Sequence, residues 1–266
     1  MTRRGLFVAP FDGLSEPSVC ADLARDAEAA GWDGFFVWDH LLYSEPVRAV
    51  ADPWIVCAAV ALATERLELG PMVTPLSRRR TQVVARQAVS LDRLSHGRLV
   101  LGFGLGDDGP LGELSSFGEE TDPRARARLL DDGLDLLRGL LSGEPVDGPG
   151  LTRAVQFLPT PVRPGGIPIW IGGRYPNVAP LRRAARHDGA FVISIPAPGD
   201  VAKVQADLAA ARRRELAPAE LVVDLPVGED PLPWAAAGAT WVLTRIGPYA
   251  IDLEQARLAV RGGPWP

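Results

Sequence analysis

Residues Arg66–Gly106 have the sequence RLELGPMVTPLSRRRTQVVARQAVSLDRLSHGRLVLGFGLG. Two short apolar runs, at 67–73 and 98–102, predict strands. Between them, apolar residues recur at the spacing of one helix face, namely Val84, Ala88, Leu91 and Leu94. Two strands joined by a crossover helix are parallel and lie in one sheet. The stretch therefore predicts a βαβ unit.

The same alternation of strand and helix continues along the chain. The eight predicted strands are residues 6–9, 35–38, 67–73, 98–102, 167–171, 189–193, 221–225 and 241–244. Strict alternation predicts a parallel sheet covered by helices, and 266 residues suit a (β/α)₈ barrel, which needs about 250. We predict an α/β fold, a TIM barrel that forms a single domain over residues 1–266. A glycine- and proline-rich stretch at 144–166 predicts a short excursion over the barrel mouth.

An open, doubly wound sheet is the alternative fold for such a pattern. Its dinucleotide-binding form needs G-x-G-x-x-G at the start of a helix. The candidate at 102–106 has a different spacing and leads into a loop, Asp107-Asp-Gly-Pro110. The closed barrel is therefore favoured.

The composition excludes several classes of protein. A chain that is 47% hydrophobic and 23% charged is typical of a globular protein, and no apolar run approaches the roughly 20 residues of a membrane span. A net charge of −5 argues against a nucleic-acid partner. Cys20 and Cys57 lie in apolar helical patterns, which favours reduced thiols in a cytoplasmic protein, although a disulfide between them stays open.

Asp39 and His40 follow the second predicted strand. In a barrel the active site lies where strands meet the helices that follow them, so both residues are candidates. Histidine titrates near neutral pH, which suits a proton-transfer group. The alternatives are a structural hydrogen bond for His40 and a capping role for Asp39.

Two further segments suggest anion binding. Gly172 and Gly173 precede a helix, and backbone N–H groups there favour a phosphate that Arg174 would also bind. A plain tight turn is the alternative. The run at 78–80 consists of three arginines, which predicts either a solvated loop or a contact with a phosphate or acidic cofactor tail.

Three kinds of chemistry lack support in the sequence. The three histidines and two cysteines make no cluster with metal-ligand spacing, so no metal site is predicted. No G-x-S-x-G motif of a Ser/His/Asp hydrolase occurs. Schiff-base chemistry needs a lysine on a strand, whereas Lys203 lies in a predicted helix.

Five segments resemble the bacterial luciferase-like, flavin-dependent oxidoreductases. They are AEAAGWDGFFVWDH, DPW (52–54), TERLELGPMVTP (64–75), ARQAVSLDRLSHGRLVLGFGLG (85–106) and IPIWIGGRYPN (167–177). The first of them ends at His40. Members of this family are (β/α)₈ barrels that use FMN or the deazaflavin coenzyme F-420. The WDH ending of the second strand is more similar to the deazaflavin-using branch.

The resemblance implies roles for eleven residues. They are Asp39, His40 and Asp107 for catalysis; Met72, Val73, Thr74, Gly104 and Gly106 for contact with the cofactor ring; and Gly172, Gly173 and Arg174 for the phosphate. His40 would be the acid/base group. Asp107 stands where some relatives have a catalytic glutamate. Members commonly have longer segments over the mouth than the stretch at 144–166.

The resemblance implies an oxidoreductase that transfers hydride between coenzyme F-420 and a small organic substrate. The first alternative is an FMN-dependent monooxygenase that uses reduced flavin, from a separate reductase, and oxygen. The second alternative is a flavin-binding barrel without catalysis. A homodimer is a further expectation, because the outer helices of such barrels often pair.

Overall fold

The computed structural model describes residues 1–148, 150–249 and 252–265. In these residues the strands are β1 (Arg3–Val8), β2 (Gly34–Val37), β3 (Glu68–Pro71), β4 (Thr74–Pro75), β5 (Leu101–Gly104), β6 (Ile169–Arg174), β7 (Gly189–Ile193), β8 (Glu220–Pro226) and β9 (Trp241–Ile246). The α-helices are α1 (Pro17–Ala30), α2 (Pro53–Ala63), α3 (Thr81–Leu94), α4 (Pro123–Ser142), α5 (Val178–Ala184), α6 (Pro198–Ala211), α7 (Leu232–Ala236) and α8 (Leu253–Arg261).

The strands form one sheet in which every ladder between neighbours is parallel. Their order is β3-β2-β1-β9-β8-β7-β6-β5-β4. The two ends of the sheet also meet: the amide of Leu69 donates to the carbonyl of Arg98 at 3.1 Å, and the amide of Val100 donates to the carbonyl of Leu69 at 2.9 Å. These bonds close the sheet, and the predicted barrel is confirmed.

The third barrel strand is interrupted, whereas the sequence predicted one continuous strand over 67–73. β3 ends at Pro71, and β4 resumes at Thr74 after a cis peptide between Met72 and Val73. The flanking prolines, Pro71 and Pro75, have no amide hydrogen to donate to a ladder, so the continuous pairing stops between them. The two halves make different pairings: β3 pairs with β2, and β4 pairs with β5.

Alternate side chains fill the barrel interior. The cluster consists of Phe7, Phe36, Met72, Val100, Trp170, Phe191, Val222, Trp241 and Leu243, and Trp38, Val73 and Ile193 pack against it. A larger apolar cluster lies between the strands and the surrounding helices. The interior is therefore packed, and an open space can form only at the two open ends of the barrel.

Asp followed by Pro predicts a helix start at Asp52 and at Asp122, and both predictions are confirmed. The carboxylate of Asp52 accepts hydrogen bonds from the amides of Trp54 (2.9 Å) and Ile55 (3.0 Å), and Asp122 caps α4 in the same way. These caps satisfy amides that the helix leaves unpaired. The sequence also predicts a cap at Asp200, but this is wrong, because α6 begins two residues earlier, at Pro198, and Asp200 lies in its first turn.

The stretch at 144–166 contains no helix and, in its described part, one isolated bridge between Val146 and Val155. The stretch is an excursion outside the barrel elements, as predicted, but its predicted place over the mouth is wrong: Arg163 is 2.9 Å from Glu68 at the start of β3, so the stretch lies at the end of the barrel where the strands begin. None of the helices in the described ranges has both the length and the apolar character of a membrane span.

Candidate active site

His40 lies at the C-terminal end of β2, where the barrel rule places catalytic groups. Its Nδ1 is 2.8 Å from Oε2 of Glu113, which belongs to the loop after β5. The His40 side chain is 29% exposed, so its ring lies at the border of the mouth. The carboxylate fixes which ring nitrogen carries the hydrogen: Nδ1–H donates to Glu113, and Nε2 is left to face a ligand.

Glu113 is buried, and its carboxylate has three polar contacts. Besides His40, its Oε1 accepts from the amide of Leu41 at 2.6 Å and from Nη1 of Arg78 at 2.7 Å. Burial alone would raise the pKa of Glu113, but the hydrogen bond and charge of His40, the Leu41 amide and the Arg78 charge outweigh it and lower that pKa. Glu113 is therefore an anion that joins its loop to the end of β2.

Asp39 points away from the solvent and is enclosed by donors. Its side chain is 0% exposed. Its carboxylate accepts from Nη2 of Arg78 at 2.6 Å, from Nη2 of Arg79 at 3.1 Å and from the Thr74 hydroxyl at 2.7 Å. Two arginines and two carboxylates thus form one ion-pair network beneath His40.

This network settles the interpretation of the arginine run. The side chains of Arg78 and Arg79 are only 3% and 18% exposed, and both are held by Asp39, so neither belongs to a solvated loop. Arg78 lies in a short 3₁₀ turn, Leu76–Arg78, directly after β4. Arg80 alone is exposed, at the start of α3.

Glu113 was missed by the sequence reasoning, which considered only the first residues after each strand. It lies nine residues beyond the end of β5. Two amides of its turn, those of Leu114 and Ser115, donate to the carboxylate of Asp108 at 2.7 and 2.8 Å. The one local signal is a glutamate placed directly before a buried leucine, Leu114, in the loop after β5. The predicted Asp107 is exposed and has no side-chain hydrogen bond within the described residues.

Val73 forms the floor of the mouth on the side of β5 and β6. Ideal Cβ atoms added to Gly104 and Gly172 would lie 2.7 Å from the two methyl groups of Val73. Gly102 is equally constrained, because its Cβ would lie 2.5 Å from the sulfur of Met72. The glycines therefore make room for the interrupted strand, and no side chain rises from them into the mouth.

The other predicted ring-contact residues have packing roles. Thr74 is fully buried and binds Asp39, and Met72 is 1% exposed inside the barrel. Gly106 has a φ of 71°, and a Cβ there would lie 2.8 Å from Pro75. These residues support Val73 and the adjacent loop from below.

The predicted strand at 167–171 extends further than the sequence suggested. Gly172, Gly173 and Arg174 belong to β6 and pair with β7, so the two glycines lie in a strand and do not form a tight turn. A Cβ on Gly173 would collide with Pro180. Nη1 of Arg174 donates to the Ser194 hydroxyl at 2.8 Å, and the Arg174 side chain is exposed at the strand end.

A second carboxylate is buried near the opposite side of the mouth. Oδ2 of Asp224 on β8 is 2.8 Å from Nη1 of Arg245 on β9, and the Asp224 side chain is 1% exposed. Burial raises the pKa of Asp224 to about 6, although the charge of Arg245 opposes this. Oδ1 of Asp224 has no partner within the described residues.

A cavity of about 480 Å³ opens at the other end of the barrel, where strands begin. Its charged side chains pair mainly with one another: Glu68, for example, is 3.2 Å from Arg3 and 2.9 Å from Arg163. Barrel enzymes place their chemistry at the C-terminal ends of the strands, and the opposite face serves stability. The candidate site is therefore the mouth that contains His40.

Comparisons with known proteins identify the family of the chain. The sequence profile of the luciferase-like monooxygenase family matches residues 9–230, so the chain belongs to that family. The predicted family is thereby confirmed. The fold is similar to that of a monooxygenase from Streptomyces bottropensis, with a TM-score of 0.77 over 98% of this chain and 97% of the other at 19% identity.

Two curated relatives have different activities. The F420-dependent glucose-6-phosphate dehydrogenase of Nakamurella multipartita is 35% identical over 189 residues, which are 66% of this chain and 52% of the relative. The 4-hydroxyprotoasukamycin monooxygenase of Streptomyces nodosus subsp. asukaensis is 30% identical over 220 residues, 77% of this chain and 56% of the relative. The chain thus spans little more than half the length of either relative.

Proposed function

We propose that the protein is a deazaflavin-dependent oxidoreductase that transfers hydride between coenzyme F-420 and a small organic substrate. The observation that carries this proposal is the pair formed by His40 and Glu113 at the C-terminal end of a family barrel. The relative from Nakamurella multipartita, which uses the same coenzyme, supports it.

The shape of the mouth fits a planar ring. On the β5–β6 side the inward positions at the strand ends are glycines, and Val73 between them presents an apolar surface. Arg174 is exposed beyond Gly173. Its Nη1 donates to Ser194, and its other guanidinium N–H groups can donate to a phosphate. We assign the ring contact to Val73 and the glycines, with Met72 and Thr74 as their support, and the phosphate to Gly172, Gly173 and Arg174.

When bound, the deazaflavin supplies or accepts the hydride. Reduction of a substrate carbonyl adds that hydride to carbon and a proton to oxygen. His40 holds this proton at Nε2 and gives it to the oxygen; in the reverse direction it takes the proton from the hydroxyl. Glu113 holds the ring in the required tautomer and stabilises its protonated form.

The two acids predicted with His40 receive different roles. Asp39 is saturated by Arg78, Arg79 and Thr74, so we assign it to positioning the loop after β4. Asp107 is exposed in the loop after β5, and we keep it as a second acid that contacts a bound substrate. We also propose a homodimer through α2, since Ile55 and Leu62 on that helix are 61% and 74% exposed.

An FMN-dependent monooxygenase, supplied by a separate flavin reductase, is the second candidate. It is supported by the monooxygenase from Streptomyces nodosus, which matches a larger share of this chain than the dehydrogenase does. Both candidates need the same ring site and differ in the cofactor that occupies it.

Titration of the purified protein with coenzyme F-420 and with FMN tests the proposal. We expect tighter binding of the deazaflavin; tighter binding of FMN would favour the monooxygenase. Replacement of His40 by asparagine should leave the dissociation constant of the cofactor unchanged and lower kcat about 100-fold or more. Binding of neither cofactor would overturn both enzyme proposals.

A further inference from the structure

Four aromatic side chains form one side of the mouth, beside His40. Phe11, Trp38, Tyr43 and Tyr249, which we call the aromatic wall, come from the ends of β1, β2 and β9. The ring centroids of Phe11 and Tyr43 are 4.9 Å apart, and those of Tyr43 and Tyr249 are 6.0 Å apart. The wall therefore continues from the barrel interior to the surface.

The imidazole of His40 lies at the edge of this wall. Its centroid is 5.1 Å from that of Tyr43 and 6.1 Å from that of Trp38. Since Nδ1 is occupied by Glu113, a substrate that reaches Nε2 lies beside the aromatic wall. The surface that surrounds the reacting atoms on this side is thus apolar.

Much of the wall is accessible. Tyr249 is 56% exposed and Tyr43 is half-buried, whereas Phe11 beneath them is 4% exposed. Apolar residues on the neighbouring loops are exposed as well: Leu41 is 45% exposed and Phe117 is 56% exposed. Exposed aromatic side chains next to a catalytic group are typical of a ligand-binding site.

Apart from Arg174, which we assign to the cofactor phosphate, three arginines near the mouth are already paired with carboxylates. Arg78 and Arg79 are held by Asp39, and Arg245 is held by Asp224. A phosphate or carboxylate on the substrate would have to compete with these buried anions. An uncharged substrate meets no such competition.

We propose that the aromatic wall binds the body of an uncharged, predominantly apolar substrate and that Tyr43 determines this specificity. The inference rests on the proposed function, since the wall matters through its position beside His40. It sets this chain apart from the sugar phosphate that the name of the Nakamurella multipartita relative specifies. The apolar body packs on the faces of Tyr43 and Tyr249, which directs the carbonyl or hydroxyl oxygen of the substrate toward Nε2 of His40.

Saturation-transfer NMR tests this proposal by direct binding. The probes are 2-decalone, an uncharged bicyclic ketone, and glucose 6-phosphate, each added to the protein with and without coenzyme F-420. We expect 2-decalone to receive saturation at its ring hydrogens and glucose 6-phosphate to receive little. Tyr43→Ala should weaken 2-decalone binding about tenfold, whereas Tyr43→Phe, which keeps the ring, should change it less than about twofold.

Tyr249→Ala provides a second arm and should also weaken 2-decalone binding; because the Tyr249 hydroxyl donates to the carbonyl of Ser44 at 3.0 Å, Tyr249→Phe, which keeps the ring, accompanies it. The control is Leu158→Ala, an exposed apolar residue whose carbonyl binds Arg86 on α3, away from the wall. Binding of glucose 6-phosphate without binding of 2-decalone, or equal binding by wild type and both alanine variants, overturns the proposal. Binding of 2-decalone is measured with and without coenzyme F-420, so the substrate proposal can be judged by itself. The proposed function fails separately, if the titration with F-420 shows no binding.

Discussion

The side chains of His40 and Glu113 meet at 2.8 Å, although 73 residues separate them in the chain. Glu113→Gln should lower kcat about tenfold or more, toward the roughly 10⁴-fold loss that a wrong histidine tautomer causes in a Ser-His-Asp site. The introduced amide can donate to Nδ1 and thereby leave the hydrogen on Nε2. Steady-state kinetics measure this, with Glu119→Gln in the same loop as the control. An effect confined to KM would contradict a role in proton transfer.

Arg78 is the cation shared by two buried carboxylates, those of Asp39 and Glu113. Arg78→Met leaves both anions without this partner, and we expect a loss of about 3–5 kcal/mol in the free energy of unfolding. Urea denaturation at pH 7 measures the loss. Arg80→Met, on the exposed neighbour, should change stability by less than about 0.5 kcal/mol. Equal effects of the two substitutions would show that the network contributes little.

Gly104→Ala should destabilise the fold, because the added Cβ would lie 2.7 Å from a methyl group of Val73. We expect a loss of about 1–3 kcal/mol, the usual cost of overpacking. Val73→Ala makes room for the new atom, so the double variant should lose less than the sum of the single losses. Gly199→Ala, in α6 with open space around it, is the control and should be neutral or slightly stabilising. Additive losses would exclude the predicted contact.

Asp224 makes stability depend on pH. Its folded pKa, about 6, is above the usual 3.8, so the unfolded chain loses this proton first as pH rises. The buried carboxylate therefore lowers stability progressively between about pH 4 and 6 and stays unfavourable above that range. Relative to wild type, Asp224→Asn should gain about 2–3 kcal/mol between pH 4 and 7.5.

Urea denaturation at pH 4, 6 and 7.5 measures this difference. Asp132→Asn, at an exposed position on α4, is the matched control and should show no such trend. A pH-independent difference between wild type and Asp224→Asn would mean that Asp224 has an ordinary pKa.

The barrel could be predicted from the sequence because its signals are local. Apolar runs such as 189–193 coincide with a strand, and Asp52-Pro53 marks a helix start through one short-range cap. The residue pattern alone did not predict the interruption of the third strand, although the family resemblance implies a strained bulge at residues 72–74. An apolar run flanked by Pro71 and Pro75 has the composition of a buried strand, and the exchange of its pairing partner from β2 to β5 is a long-range event.

The candidate site was predicted in part. His40 could be predicted as a site residue because it follows β2, and the C-terminal ends of all strands in a barrel lie around one mouth. Its partner Glu113 lies in a loop whose path depends on tertiary contacts, such as those of Asp108 with the Leu114 and Ser115 amides. Arg78 illustrates the same limit, because a run of arginines gives no indication of the two carboxylates that bury it.

The interruption between Met72 and Val73 also constrains how the sequence can evolve. Val73 occupies space that Gly104 and Gly172 leave vacant, although the three residues come from different strands. The fold can accommodate a larger residue at either glycine only after Val73 has been replaced by a smaller residue. We therefore expect these three positions to change together, and a floor of the mouth transplanted from a relative must carry all of them.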